Sequence, residues 1–205
     1  MIEDQLTGNG RDIRSPLVIE ALRTVPRHEF VLPQYVHQAY EDHPLPIGYS
    51  QTISQPYIVA LMSEQLAPRP GDKILEIGTG SGYQAAVLSE LGCQVYTIEI
   101  IEELAHKSSQ LLKKLGYLNV HVRYGNGYLG WPQQAPFDGI IVTCAPQAIP
   151  TALVHQLKEG GRMIIPVGDD WSQELYLLEK RNDQMKQSAV LPVRFVPMTG
   201  RSKSI

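Results

Sequence analysis

The distribution of apolar and polar residues changes near residue 70 and divides the chain into two parts. In the first part, short apolar segments are separated by prolines and histidines, which indicates helices and loops. In the second part, short apolar runs alternate with longer amphipathic segments, and this alternation predicts strands and helices in turn. Strands that are nearly all apolar and separated by helices are typical of a parallel sheet covered on both faces.

The first part is expected to begin with a helix, because the capping residue Ser15 precedes Pro16 at the first helical position. A second short helix is predicted from residue 33 to 40. The proline-rich stretch 43–54 is expected to be a loop without regular structure. Pro56 then opens a third helix, whose polar positions 63–65 should face water.

The second part is predicted to form a sheet of seven strands. Five parallel strands are expected at 74–77, 95–98, 120–124, 139–143 and 162–167. Two further runs, 174–178 and 190–196, follow without an intervening helix and predict a closing antiparallel pair.

The predicted fold class is therefore α/β, a three-layer, doubly wound, mostly parallel and Rossmann-like sheet with an N-terminal helical extension. We expect one domain, 1–205, in which the extension 1–70 contributes to a substrate site and 71–205 forms the ligand-binding core.

Composition and charge exclude several functions. The chain has 205 residues, 18 basic and 21 acidic side chains and a net charge of −3, so no basic excess is available for nucleic acid. No apolar stretch is long enough to span a bilayer, and no secretory signal is evident, so we expect a cytoplasmic protein. Cys93 and Cys144 lack metal-ligand spacing and are interpreted as small buried residues, and no metal is expected.

A glycine-rich turn joins the first parallel strand to its helix, where a doubly wound sheet holds nucleotide-like ligands. Its glycines are Gly78, Gly80 and Gly82, and the place of the third glycine in a dinucleotide fingerprint is held by Tyr83. This G-x-G-x-G spacing, preceded by the acid Glu76, is typical of S-adenosylmethionine (AdoMet) binding and disfavours a nicotinamide cofactor.

Glu99 ends the second parallel strand, about twenty residues after the glycine turn. A carboxylate at this place accepts hydrogen bonds from both ribose hydroxyls of a nucleotide. Glu99 therefore supports a ribose-containing ligand without choosing between AdoMet and a nicotinamide cofactor.

With these motifs, the sequence resembles the protein-L-isoaspartate O-methyltransferases over nearly its whole length. Within the matching stretch 51–56, the segment Thr-Ile-Ser-Gln-Pro (52–56) is far more restricted than the glycine turn and carries the assignment. The other matching segments are 25–31, 45–48, 75–83, 136–143 and 194–198.

The resemblance implies methyl transfer from AdoMet to the free α-carboxylate of L-isoaspartyl residues, or to the side chain of D-aspartyl residues, in damaged polypeptides. S-adenosyl-L-homocysteine is then the other product, and the ester closes to a succinimide, whose hydrolysis repairs part of the chains. The implied partners are damaged polypeptides, without nucleic acid or membrane, and the enzyme is expected to be a monomer.

The resemblance also implies the residues of the site, with Ser54 as the active-site serine. The implied cofactor contacts are Thr52, Ile53, Ser54, Glu76, Gly78, Thr79, Gly80, Ser81, Gly82, Glu99, Gly125, Asn126 and Thr199. The implied substrate contacts are Ser54, Val196, Pro197 and Met198.

Two positions depart from the family pattern. Asn126 stands where relatives usually have Asp, and its uncharged amide implies weaker cofactor binding. Ser50 stands where relatives often have Gly, so a positive φ there would strain the loop before Ser54.

The residue types predict a mechanism without a general base, because a carboxylate acceptor is already ionised at neutral pH. The six histidines are scattered along the chain. Ser54 is predicted to fix the acceptor oxygen by a hydrogen bond. Two alternatives remain, an AdoMet-dependent O-methyltransferase acting on a biosynthetic peptide or small carboxylate, and a non-catalytic AdoMet-binding module.

Overall fold

The structure is a computed structural model that describes residues 5–6 and 11–200. Helix α1 (Pro16–Thr24) begins at the predicted position, with the Ser15 hydroxyl accepting a hydrogen bond from the Val18 amide. Two short 3₁₀ segments follow, Arg27–Phe30 and Pro33–Gln38. The second replaces the helix predicted over residues 33–40, and the first has no counterpart in the prediction.

The prediction of a loop over residues 43–54 is wrong, because this stretch contains a β-hairpin. Strands β1 (Leu45–Gly48) and β2 (Gln51–Ile53) pair antiparallel. Tyr49 and Ser50 connect them with φ angles of 54° and 57°, the left-handed pair that a tight hairpin turn requires. Proline is tolerated at position 46 because β1 has a single neighbour and needs few ladder hydrogen bonds.

Helix α2 (Pro56–Leu66) buries more of its surface than its sequence pattern predicts. Ser63 is predicted to face water, but its side chain is buried and accepts a hydrogen bond from the Gln84 amide over 2.9 Å. Only a narrow face of α2 is exposed to solvent, because the helix packs on α1 at one side and on the central sheet at the other. The Glu64 carboxylate accepts hydrogen bonds from the Arg14 and Ser15 amides and fixes the start of α1.

The central sheet has seven strands within residues 11–200 and confirms the predicted fold class. Its order is β5-β4-β3-β6-β7-β8-β9, with parallel pairing up to β7 and antiparallel pairing for β8 and β9. The strands are β3 (Lys73–Ile77), β4 (Gln94–Glu99), β5 (Val120–Tyr124), β6 (Phe137–Val142), β7 (Leu157–Gly168), β8 (Gln173–Arg181) and β9 (Gln184–Val193).

Helices cover both faces of the sheet, which gives the three layers. Helices α3 (Tyr83–Glu90) and α4 (Glu102–Lys114) follow β3 and β4, and share one apolar cluster with α1 and α2. Helix α5 (Thr151–Gln156) packs in a second cluster on the other face. Within residues 5–6 and 11–200, no helix is long and apolar enough to cross a membrane.

The strand order places a switch point between β3 and its neighbours. The chain leaves β3 toward β4 and β5 on one side and later returns on the other side as β6. A crevice therefore opens at the carboxyl ends of β3, β4 and β6, where doubly wound sheets bind their ligands.

Candidate active site

A cavity lies at the carboxyl ends of β3, β4 and β6, the place where doubly wound sheets bind their ligands. Thirteen of the sequence-predicted site residues line it. They are Thr52, Ile53, Ser54, Glu76, Gly78, Thr79, Gly80, Ser81, Glu99, Val196, Pro197, Met198 and Thr199. The cavity thus joins residues from the first part of the chain, the glycine turn and the C-terminal segment.

The glycine turn after β3 forms one wall and is tightly fixed. The Gly78 amide donates a hydrogen bond to the Ile98 carbonyl on β4 over 2.8 Å. Gly78 has a φ of 96°, and a Cβ atom there would lie 2.5 Å from the Thr143 hydroxyl oxygen. Glycine is therefore required at this position both by backbone conformation and by space.

Glu99, at the end of β4, holds its carboxylate at the rim of the glycine turn. One oxygen accepts a hydrogen bond from the Gly80 amide over 2.8 Å, and the other from the Ile101 amide over 3.0 Å. Each carboxylate oxygen retains a lone pair, so both can accept from neighbouring hydroxyls of a ligand. This arrangement fits the two hydroxyls of a ribose.

Glu76 lies one residue before the end of β3 and is fully buried in the cavity wall. Among the described residues, neither of its carboxyl oxygens has a hydrogen-bond partner, although the Thr97 hydroxyl, which is hydrogen-bonded to Thr79, lies beside it. Burial raises the pKa of Glu76 to about 8, and the nearby Glu99 carboxylate contributes to this increase. A buried acid without a partner fits a cationic ligand group that supplies the missing donor.

Ser54 reaches the cavity from the end of the β1–β2 hairpin. It is half-buried, and its hydroxyl has no protein partner among the described residues. The N-cap of α2 is Gln55, whose side chain makes no capping bond, so Ser54 has no capping role. The hairpin lies close to the glycine turn, since a Cβ atom on Gly80 would meet the Ile47 side chain at 3.3 Å.

The segment Val196–Thr199 forms the opposite wall. The Ala145 amide donates to the Val196 carbonyl, and the Met198 amide donates to the Ala145 carbonyl, each over 2.8 Å. The Tyr128 hydroxyl also donates to the Met198 carbonyl over 3.3 Å. These bonds tie a segment without regular structure to the end of β6 and keep it at the cavity.

Three predicted cofactor residues lie beside the cavity and do not line it. A Cβ atom on Gly82 would touch Leu112 on α4 at 3.1 Å, so this glycine allows close helix packing. Gly125 and Asn126 follow β5, and the side-chain oxygen of Asn126 accepts a hydrogen bond from the Tyr128 amide over 3.0 Å. The cavity is lined there by Gly127. The Asn126 side chain therefore organises the turn that presents Gly127.

Sequence reasoning missed several lining residues, among them Tyr83, Gln84, Thr143 and Cys144. Thr143 and Cys144 directly follow β6, so their position after a predicted parallel strand was the available signal. Cys93 is buried as expected, but Cys144 is half-buried and lines the cavity. Burial raises the pKa of the Cys144 thiol to about 12, which keeps it neutral. No group of three or more metal-ligating side chains occurs in the described part of the chain.

Comparison with known proteins agrees over the full length. The family model described as protein-L-isoaspartate(D-aspartate) O-methyltransferase matches residues 3–203. A protein-L-isoaspartate O-methyltransferase of Gloeobacter violaceus is 53% identical over 200 residues, which covers 97% of this chain and 97% of the relative. A protein of the same name from Opitutus terrae is 54% identical over 200 residues, covering 97% of this chain and 85% of the relative.

Solved structures give the same result. A protein-L-isoaspartate O-methyltransferase structure has a TM-score of 0.86 and 32% identity, covering 92% of this chain and 62% of that longer chain. A Plasmodium falciparum structure, described as an enzyme of this type in complex with S-adenosyl-L-homocysteine, has a TM-score of 0.81 and 26% identity. It covers 92% of this chain and 93% of that chain.

Proposed function

Because the chain belongs to the protein-L-isoaspartate O-methyltransferase family, we propose that it methylates the free α-carboxylate of L-isoaspartyl residues in damaged polypeptides, with AdoMet as methyl donor. The side-chain carboxylate of D-aspartyl residues is a second substrate in this proposal. The observation that carries the proposal is the position of Ser54, whose hydroxyl has no partner among the described residues and lines the same cavity as the glycine turn.

The residues of the cavity fit AdoMet. Glu99 would accept the ribose hydroxyls, and the buried Glu76 carboxyl would receive the ammonium group of the methionine part. The backbone of the turn Gly78–Ser81 would lie against the ligand without intervening side-chain bulk. When bound, the cofactor supplies a methyl group on a positively charged sulfur.

Ser54 positions the acceptor in this mechanism. Its hydroxyl donates a hydrogen bond to one carboxylate oxygen of the isoaspartyl residue and holds the other oxygen toward the methyl donor. The acceptor is ionised at neutral pH, so no proton must be removed before transfer. This agrees with the cavity wall, in which no histidine, lysine or arginine occurs among the described residues.

The walls of the cavity also limit the hydration of a bound substrate. Ile53, Ile98 and Met198 contribute apolar surface to the cavity, and their side chains are almost fully buried. An acceptor carboxylate that enters loses part of its hydration, which increases its reactivity toward the methyl group. The methyl ester leaves the site intact, and its closure to a succinimide, with release of methanol, requires no enzyme residue.

The enzyme is further proposed to act as a monomer in the cytoplasm. The modest net charge of −3 supports a protein that meets many different polypeptides without a strong field toward one class. Mass measurement in solution at working concentration tests the monomer.

The central experiment uses methyl-labelled AdoMet and two peptides that differ in a single linkage. One peptide carries Asp and the other isoAsp at the same position. We expect base-labile methyl ester on the isoAsp peptide alone. Equal labelling of both peptides would support a less selective carboxyl methyltransferase, and cofactor binding without any ester would leave a non-catalytic AdoMet-binding module.

A further inference from the structure

A second, wider depression lies beside the cavity. We name it the outer groove; it lies between the first part of the chain, including Tyr57, and the segment Leu191–Pro197. The groove shares five residues with the cavity, namely Thr52, Ser54, Thr143, Val196 and Pro197. The two spaces are therefore continuous at Ser54.

The walls of the outer groove are held in place by side-chain contacts. On one side, the Arg11 guanidinium lies 4.8 Å above the Tyr57 ring and forms an ion pair with Asp42. On the other side, Gln173 accepts a hydrogen bond from the Phe195 amide over 2.6 Å and donates one to the Phe195 carbonyl over 3.1 Å. The groove is thus a built feature between two fixed walls.

A tight turn between β7 and β8 stands at the rim of the groove. The Asp169 carboxylate accepts hydrogen bonds from the Trp171 and Ser172 amides over 2.8 and 2.9 Å, and the Asp169 amide donates to the Ser172 carbonyl. Asp170 lines the groove, while the neighbouring Trp171 is 95% exposed. The turn keeps the Trp171 indole exposed to solvent, so this side chain contributes almost nothing to the packing of the core.

An exposed tryptophan beside a binding groove is a strong candidate for an intermolecular contact, because aromatic anchors contribute much of the energy of protein interfaces. A molecule that binds in the outer groove must be continuous with the ligand that reaches Ser54. In a protein-isoaspartate methyltransferase this ligand is one residue of a polypeptide, and the chain on its flank has to leave the cavity through the continuous opening.

We propose that the outer groove and Trp171 bind the polypeptide segment that flanks the isoaspartyl residue, with the indole packing against that segment. This proposal rests on the proposed function and adds a recognition surface outside the methyl-transfer cavity. Affinity should then increase with substrate length, because Trp171 does not line the cavity and a longer peptide adds contacts along the outer groove.

The test compares Trp171→Ala with the unchanged enzyme on two isoaspartyl peptides. The short peptide carries one neighbour on each side of the isoaspartyl residue, and the long peptide embeds the same tripeptide. For the long peptide we expect KM to rise about fivefold, equivalent to about 1 kcal/mol, with unchanged kcat. For the short peptide we expect no change in either constant, and Trp171→Tyr should restore most of the long-peptide affinity.

Leu118→Ala is the matched control, because Leu118 is 75% exposed and precedes β5 at the opposite edge of the sheet. It should leave both peptides unaffected. If Trp171→Ala raised KM equally for both peptides, the proposal would be overturned. An unchanged KM for both peptides would also overturn it. A smaller mass in solution for Trp171→Ala than for the unchanged enzyme, with unchanged KM, would instead assign Trp171 to a contact between copies. If the unchanged enzyme methylates neither peptide, the proposed function itself fails.

Discussion

The hydroxyl of Thr143 donates a hydrogen bond to the carbonyl oxygen of Gly78 over 2.6 Å and so joins the end of β6 to the glycine turn after β3. The same hydroxyl lies 3.0 Å from the Ile77 carbonyl oxygen. Its oxygen also occupies the space that a side chain at position 78 would need. One side chain thus anchors the turn and makes glycine necessary within it.

Thr143→Val removes this anchor while keeping the side-chain shape. We expect a loss of about 1 kcal/mol in the free energy of unfolding, the usual contribution of a hydrogen bond, and weaker AdoMet binding because the turn is less fixed. Calorimetric titration and urea unfolding measure the two effects. Thr143→Ser retains the hydroxyl and should stay close to the unchanged protein; equal losses in both variants would show that the methyl group matters instead.

Ser54→Ala separates cofactor binding from methyl transfer. The variant should bind AdoMet within a few-fold of the unchanged enzyme, since the backbone and Glu99 carry the cofactor. Turnover of an isoaspartyl peptide should fall about tenfold to a hundredfold, because the acceptor oxygen loses its hydrogen bond at the transfer site. Ser188→Ala, on exposed β9, is the control, and unchanged turnover in Ser54→Ala would remove Ser54 from the mechanism.

Glu99→Gln keeps the size of the side chain but replaces one acceptor oxygen by an amide donor. The new amide group faces the backbone amide of either Gly80 or Ile101, so one of these two hydrogen bonds to Glu99 is lost. The ribose also loses a charged acceptor. We expect AdoMet affinity to fall at least about tenfold, the cost of one hydrogen bond to a charged group. Isothermal titration measures the AdoMet affinity. Glu103→Gln, at an exposed position of α4, is the control. An affinity equal in both variants would contradict the assigned role.

Glu76 makes the cofactor-free protein sensitive to pH. Its pKa is about 8 in the folded state and 4.5 in the unfolded state, so the folded form holds an extra proton between these values. Stability from this group therefore falls as pH rises from about 4.5 to about 8, by at most about 1.4 kcal/mol per pH unit.

The test of this pH effect compares Glu76→Gln with the unchanged protein in denaturant unfolding at several pH values. Because the amide that replaces the carboxyl group does not ionise, the stability of the variant relative to the unchanged protein should increase with pH across that window. A difference that is constant with pH would show that Glu76 is ionised in the folded protein.

Ser50→Gly tests strain in the hairpin turn. Ser50 has a φ of 57°, a conformation that costs a non-glycine residue energy and costs glycine almost none. After subtraction of the larger chain entropy of glycine in the unfolded state, we expect a gain of about 0.5 kcal/mol. Thermal unfolding measures it. Ser172→Gly, outside the hairpin, is the comparison, and a loss of stability in Ser50→Gly would contradict the strain argument.

The sheet was predictable from the sequence because each strand carries its own signal. Runs such as 139–143 are nearly all apolar and bounded by turn residues. The antiparallel end follows from two runs without a helix between them. The hairpin at 45–53 was not predictable in this way. Its strands are short and include Pro46, and its turn uses Tyr49 and Ser50 where a sequence rule expects Asn or Gly.

The residues of the candidate site also differ in how far the sequence predicts them. The glycine turn and Glu99 were found because one strand–turn–helix unit contains the whole motif. Thr143 and Cys144 come from β6, which becomes a neighbour of β3 through the strand order alone. Asn126 was assigned to the cofactor through the family resemblance, whereas its side-chain oxygen accepts a local hydrogen bond from the Tyr128 amide two residues later.

The cavity takes one wall from Ser54, which directly follows the β1–β2 hairpin, and another from Val196–Thr199, which comes much later in the sequence. During synthesis, a ribosome-bound chain that still lacks the second segment would possess the glycine turn but no closed cavity. Methylation activity should therefore begin only after Val196–Thr199 has been made and has packed against the end of β6. Loss of these few late residues, by premature termination or proteolytic trimming, would silence the enzyme while leaving its seven-stranded sheet complete.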